Sequence, residues 1–249
     1  MPGSTPPSLT QRLACRIRPD RPAAMAQTWT DLLFAHWEVP SAAVQRTLPA
    51  GLIVDTWEGR AYLGVVPFWM RRIRPIGLPP MPWLSNFLEL NVRTYVHDRD
   101  GRPGVWFYSL DCTQPVAVWV ARAQFGLPYF HARMKARCTA DRTVRYESRR
   151  WQSEAAGSFA YRFGVSREPA APGTLEFFLV ERYLLFARHH GRLLCGQVHH
   201  TPYPLCEIES AEVACEGLAP LGLSCNGPLV HLLGSPGVEV EVFSPQWVS

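Results

Sequence analysis

Polarity switches at every step from Leu88 to Arg93 in the stretch FLELNVRTYV (87–96), and that alternation constrains the fold more than any other feature of the chain. A helix would scatter these side chains around its circumference. An extended strand instead puts Glu89, Asn91, Arg93 and Tyr95 on one face and Leu90, Val92, Thr94 and Val96 on the other. YFHARMKAR (129–137) repeats the pattern, with Tyr129, His131, Arg133, Lys135 and Arg137 opposite Phe130, Ala132, Met134 and Ala136. Two arrangements satisfy such a stripe. It can be the solvated outer face of a sheet, which is its usual fate, or the polar lining of a curved sheet's interior.

The rest of the chain reads as strands punctuated by turns. LLFAHWEV (32–39) is strand-like, and Ser41 is placed to cap a short helix over SAAVQRTL that Pro49 stops. LIVDT and RAYLGVVPFWM flank Trp57-Glu58-Gly59 and predict a hairpin, as do FLELNVRTYVHD and VWFYSLD around Asp100-Gly101. The proline-rich segment 75–86 predicts an irregular loop, and QPVAVWVARAQF (114–125) a helix ended by Gly126 and Pro128. YFHARMKARCTA, RTVRYESRRW and SFAYRFGVS predict a three-strand meander. GTLEFFLVERY (173–183) starts as a helix and runs into a strand; RLLCGQVHH (192–200) and GVEVEVF (237–243) are further strands. Many short strands with few helices define a mainly β, α+β fold of antiparallel type. Residues 25–249 form one expected domain. Residues 1–24, rich in proline and arginine, are expected as a flexible extension, with Met25 an alternative start.

Composition narrows the function. The formal charge of +4 comes from scattered arginines, with no basic run interleaved with aromatics, which argues against nucleic acid. No run of about 18 apolar residues predicts a membrane span. Seven cysteines, an odd number without C-x-x-C spacing, signal neither a disulfide framework nor a zinc site, and a reducing cytoplasm fits them. His199 and His200 point to opposite faces of a strand and cannot chelate one ion. No nucleophile elbow, His-Glu-x-x-His or phosphate loop occurs, so neither metal nor cofactor is expected. A small molecule is the expected partner, and self-association as a homo-oligomer is compatible with all of this.

LLFAHWEVP, LPAGLIVDTWEGRAYLGVVPFWM, FLELNVRTYV, GRPGVWFYSLD, FGLPYFHARM, GTLEFFLVERYLLF and VHHTPYPL resemble the YqjF-like bacterial proteins of the acetoacetate-decarboxylase-like superfamily, over about residues 27–245. The resemblance implies curved antiparallel sheets in a barrel-like fold around a central cavity, with the two polar stripes lining it. Acetoacetate decarboxylases carry a nucleophilic amine in a Gly-x-Pro-Lys-Lys segment and a cavity glutamate on a preceding strand. Gly126-Leu127-Pro128 matches the start of that segment, but Tyr129 and Phe130 stand in place of the lysines, and Glu89 matches the glutamate. The chain's one lysine, Lys135, lies seven residues beyond Pro128, some 20 Å along a strand at roughly 3.3 Å per residue.

The expected site therefore has Glu89, Tyr129 and His131 as acid, base or hydrogen-bonding groups and Asn91, Arg93 and Arg133 as substrate holders. Glu89 and Arg93 are four strand residues apart, roughly 13 Å, so each needs a partner on another strand. Two functions remain open: an enzyme acting on a small anionic or carbonyl-bearing molecule without a Schiff-base lysine, or a binding protein that kept the cavity and lost the chemistry.

Overall fold

Apolar runs separated by turns assemble into one curved sheet of twelve strands in the computed structural model, which describes residues 5–216, 223, 225 and 227–248. In chain order the elements are α1 (Leu9–Ala14), β1 (Met25–Val39), α2 (Ser41–Thr47), β2 (Ile53–Val54), β3 (Ala61–Pro75), β4 (Phe87–His97), β5 (Pro103–Cys112) and α3 (Pro115–Phe125). They continue with β6 (Tyr129–Cys138), β7 (Thr143–Arg150), β8 (Ala156–Arg167), α4 (Leu175–Val180), β9 (Leu184–His189), β10 (Arg192–His199), β11 (Leu205–Glu216) and β12 (Leu229–Trp247). No described helix is long and apolar enough to cross a membrane.

The pairings trace two rings that share a wall. One runs β12–β1–β3–β4–β5–β9–β10 and returns to β12. The other leaves β5 through β6, β7, β8 and β11 and rejoins β12 at Cys206 opposite Gly234. All these ladders are antiparallel except β5–β6 and β5–β9. The shared strands are covered on both faces, so Glu89 to Asp98 are buried without a break. On one face Leu90 and Val92 pack with Leu33, Val65, Tyr146 and Phe159 into a closed core. Polar residues at the alternate positions of β4 therefore point into the first ring.

Several local expectations meet a different outcome. Segment 53–54 does not pair with β3: Ile53 lies opposite His97, making β2 a neighbour of β4, and the turn at Trp57 survives only as a bridge to Arg60. Pro40, with no side-chain cap, starts α2 in place of Ser41. Gly126 ends α3 as expected, with φ 61°, and a Cβ there would lie 2.5 Å from the Arg188 carbonyl oxygen. β11 went unpredicted.

Residues 5–24 are not the loose extension their composition suggests. Ser8 and Gln11 form a reciprocal capping box on α1. Arg12 then reaches the buried Asp55 with two hydrogen bonds of 2.6 and 2.7 Å, and Arg18 pairs with Glu241 at 2.6 Å. Arginines that look like a solvated tail are the anchors of this segment.

Candidate functional site

A cavity of about 390 Å³ occupies the first ring, bordered by its strands, by α3 and by the 75–86 loop. The cavity-facing stripe of β4 runs Phe87, Glu89, Asn91, Arg93. Its neighbours across the ladders are apolar or small: Phe68, Val66 and Gly64 on β3, and Cys112, Leu110 and Phe107 on β5. Three polar side chains thus lie in an apolar wall. Each is nearly excluded from solvent, with Glu89 4%, Asn91 5% and Arg93 8% exposed.

Glu89 accepts a 2.7 Å hydrogen bond from the Tyr129 hydroxyl. Burial pushes its carboxyl up to about 7, and the tyrosine hydrogen bond offsets only part of that rise. Burial, reinforced by the Glu89 charge, holds the Tyr129 hydroxyl well above its ordinary range, so it remains a donor. Arg93 donates from Nη2 to the Leu179 carbonyl at 3.2 Å, and its guanidinium lies 5.8 Å from the centroids of both Phe34 and Tyr95. Its Nε and the Asn91 Oδ1 have no hydrogen-bond partner among the described residues. A buried group left in this way costs free energy unless something outside the chain satisfies it.

His131 and Arg133 do not join this group, although they share a strand face with Tyr129. The β5–β6 ladder lasts only from Leu110–Tyr129 to Cys112–His131, after which β6 pairs with β7 and departs from the cavity wall. The Arg133 guanidinium sits 4.5 Å over the Trp151 ring, with the His131 ring 6.0 Å from the same indole. From His131 onward the stripe is the outer face of the meander, where Lys135 is exposed opposite Glu147. Among the described residues no group of three or more His, Cys, Asp and Glu side chains gathers as a metal site.

Arg182 belongs to the cavity lining and was missed. It donates to Asp55 at 2.8 Å and to the Phe178 carbonyl at 2.7 Å, and its Nη2 has no partner among the described residues. Burial would raise the Asp55 carboxyl, but the Arg182 and Arg12 guanidiniums outweigh it and hold the group below its usual value. The signal was available: Glu181 and Arg182 interrupt the apolar run FFLVERYLLF, where charges can only be buried. Beside Arg93 lies a buried hydrogen-bond relay that no pattern in the sequence signals. Tyr95 donates to the Leu179 carbonyl at 2.8 Å, so His36 Nε2–H donates to the Tyr95 oxygen at 2.6 Å. His36 Nδ1 then accepts from His231 Nδ1–H at 2.9 Å, with both rings neutral.

The barrel-like ring of strands has an acetoacetate-decarboxylase-like fold. Acetoacetate decarboxylase from Legionella pneumophila superposes with a TM-score of 0.64 at 14% identity, covering 94% of this chain and 91% of that one. The enduracididine biosynthesis enzyme MppR complexed with pyruvate gives a TM-score of 0.60 at 13% identity, covering 92% and 91%. An acetoacetate-decarboxylase-like enzyme from Sphingomonas wittichii RW1 gives 0.61 at 12%, covering 92% and 94%. Within that fold the chain belongs to the DUF2071 family of uncharacterized conserved proteins, whose profile matches residues 26–239. It is 37% identical over 216 residues to the uncharacterized protein YqjF of Bacillus subtilis (strain 168), covering 86% of this chain and 88% of that protein.

Proposed function

We propose that the cavity binds a small organic molecule with a carboxylate or carbonyl group, and that Glu89 exchanges a proton with it. One observation carries this reading: a buried carboxyl, pushed up towards neutrality by its apolar surroundings, is held by Tyr129 inside a cavity that also contains Arg93. Arg93 holds the anionic or carbonyl end through its unpartnered Nε–H, Asn91 turns its amide N–H towards the same end by rotation about its last bond, and Glu89 serves as acid or base according to pH. The chemistry differs from amine catalysis, because the chain's one lysine is exposed on the outer face of β6. The fold neighbours support a small ligand of this kind, one of them having been solved with pyruvate.

A second reading, a binding protein without catalysis, is favoured by the position of His131 outside the cavity. The two are separated by a screen of organic acids and carbonyl compounds for thermal stabilisation, followed by proton exchange. An enzyme of the proposed type exchanges a ligand C–H adjacent to a carbonyl for deuterium in D₂O, and Glu89→Gln abolishes the exchange. Binding without exchange favours the second reading. Ligands bound equally well by Glu89→Gln and Arg93→Leu would place the site elsewhere.

A further inference from the structure

The polar stripe occupies a small part of its surroundings. Every ladder neighbour of Glu89, Asn91 and Arg93 on β3 and β5 is apolar or glycine. Leu32, Phe34, Val198, Val242 and Phe243 continue that surface around the ring. At about 390 Å³ the cavity falls in the range of ~300–1,000 Å³ that takes drug-sized ligands. A three- or four-carbon keto acid would reach the stripe and leave most of the wall uncovered. The mouth has the same character. Val116 and Leu84 line the cavity, and their neighbours Trp119 and Trp83 are 69% and 65% exposed.

We infer that the ligand is an amphipathic carboxylic acid, with its hydrocarbon portion against the apolar wall and its carboxylate on Arg93. The inference rests on the cavity-binding reading above and narrows its ligand. Arg93 suits a carboxylate because its Nε is a buried, unpartnered donor on a permanently charged group. The adjacent Asn91 amide has an unpartnered oxygen and, by rotation about its last bond, can offer an N–H to the same head group. Chain length should then govern affinity, because each buried methylene adds a nearly constant increment.

Calorimetric titration of the full-length protein with butyrate, hexanoate, octanoate and decanoate below their micelle concentrations tests this, alongside pyruvate, acetoacetate and 1-octanol. The expected result is one acid per chain and a Kd that falls about fourfold per methylene until the cavity is full. Octanol binds at least tenfold more weakly than octanoate. Arg93→Leu weakens every acid by a similar factor and leaves the chain-length slope intact. Should that variant misfold, Val120→Trp on α3 provides an independent arm: it narrows the cavity and weakens decanoate far more than butyrate. A flat series, with pyruvate or acetoacetate bound as tightly as octanoate, overturns the amphipathic ligand and leaves the cavity reading standing. Binding of none of these acids overturns both.

Discussion

Glu89 and the buried histidines pull the pH dependence of stability in opposite directions. The Glu89 carboxyl rises from 4.5 to about 7 on folding, so the native state holds its proton where the unfolded chain has released it. Its contribution to stability is complete below 4.5 and is lost as the pH climbs through about 7, a loss of up to about 3 kcal/mol. Glu89→Gln keeps the acceptor for Tyr129 and removes the titration. Its urea midpoint should match the parent at pH 5 and exceed it at pH 8; a lower midpoint at pH 8 would contradict the burial argument. His200 and His231 have the reverse sign, since burial lowers each to about 4, and it holds His36 well below its ordinary value too. Their stabilisation is present above about 6.5 and disappears as the pH falls towards 4. In the Glu89→Gln background stability should therefore decline between pH 6.5 and 4.5. Lys135, exposed on the outer stripe, should form no adduct when the protein is treated with acetoacetate or pyruvate and borohydride. A stoichiometric adduct there, lost in Lys135→Arg, would restore amine catalysis.

At the scale of elements, α1 is held by Arg12 on Asp55, and that bond sets a measurable cost. Arg12→Ala leaves Asp55 its Arg182 partner, so the expected loss is about 1.5–3 kcal/mol, the range for hydrogen bonds to charged groups. A chain starting at Met25 should lose at least as much by urea denaturation, and an unchanged midpoint would show the segment to be dispensable. This anchor was illegible in the sequence because an arginine-rich, proline-rich segment looks the same whether its charges meet water or a buried carboxylate. β4, β5, α3 and the β6–β8 meander were legible, since their period and turn residues decide them locally. Pairing partners were not. Which strand takes Ile53 and Val54 depends on ring closure, a long-range fact. The same limit explains the site: alternation put Tyr129, His131 and Arg133 on one face correctly, but only the three-residue length of the β5–β6 ladder decides that the cavity keeps Tyr129 alone.

In the whole molecule, one wall separates a filled ring from a hollow one, and consecutive residues sample both sides. Val65 packs in the closed core, whereas Val66 lines the cavity. Truncation at Val65 opens a new void in a packed interior, while at Val66 it enlarges a space already present, so only the first adds a full cavity term to the lost transfer energy. Val65→Ala should cost roughly twice as much stability as Val66→Ala; equal costs would mean that the first ring is filled like the second. A wall with this asymmetry holds a carboxyl in apolar surroundings and leaves room beside it. The ionisation of Glu89 reports both properties together. With ¹³C-labelled glutamate and the Glu89→Gln spectrum for assignment, its carboxyl resonance should titrate with a midpoint of about 7 and move when octanoate is added. A midpoint near the ordinary 4.5, indifferent to every organic acid tried, would contradict the account.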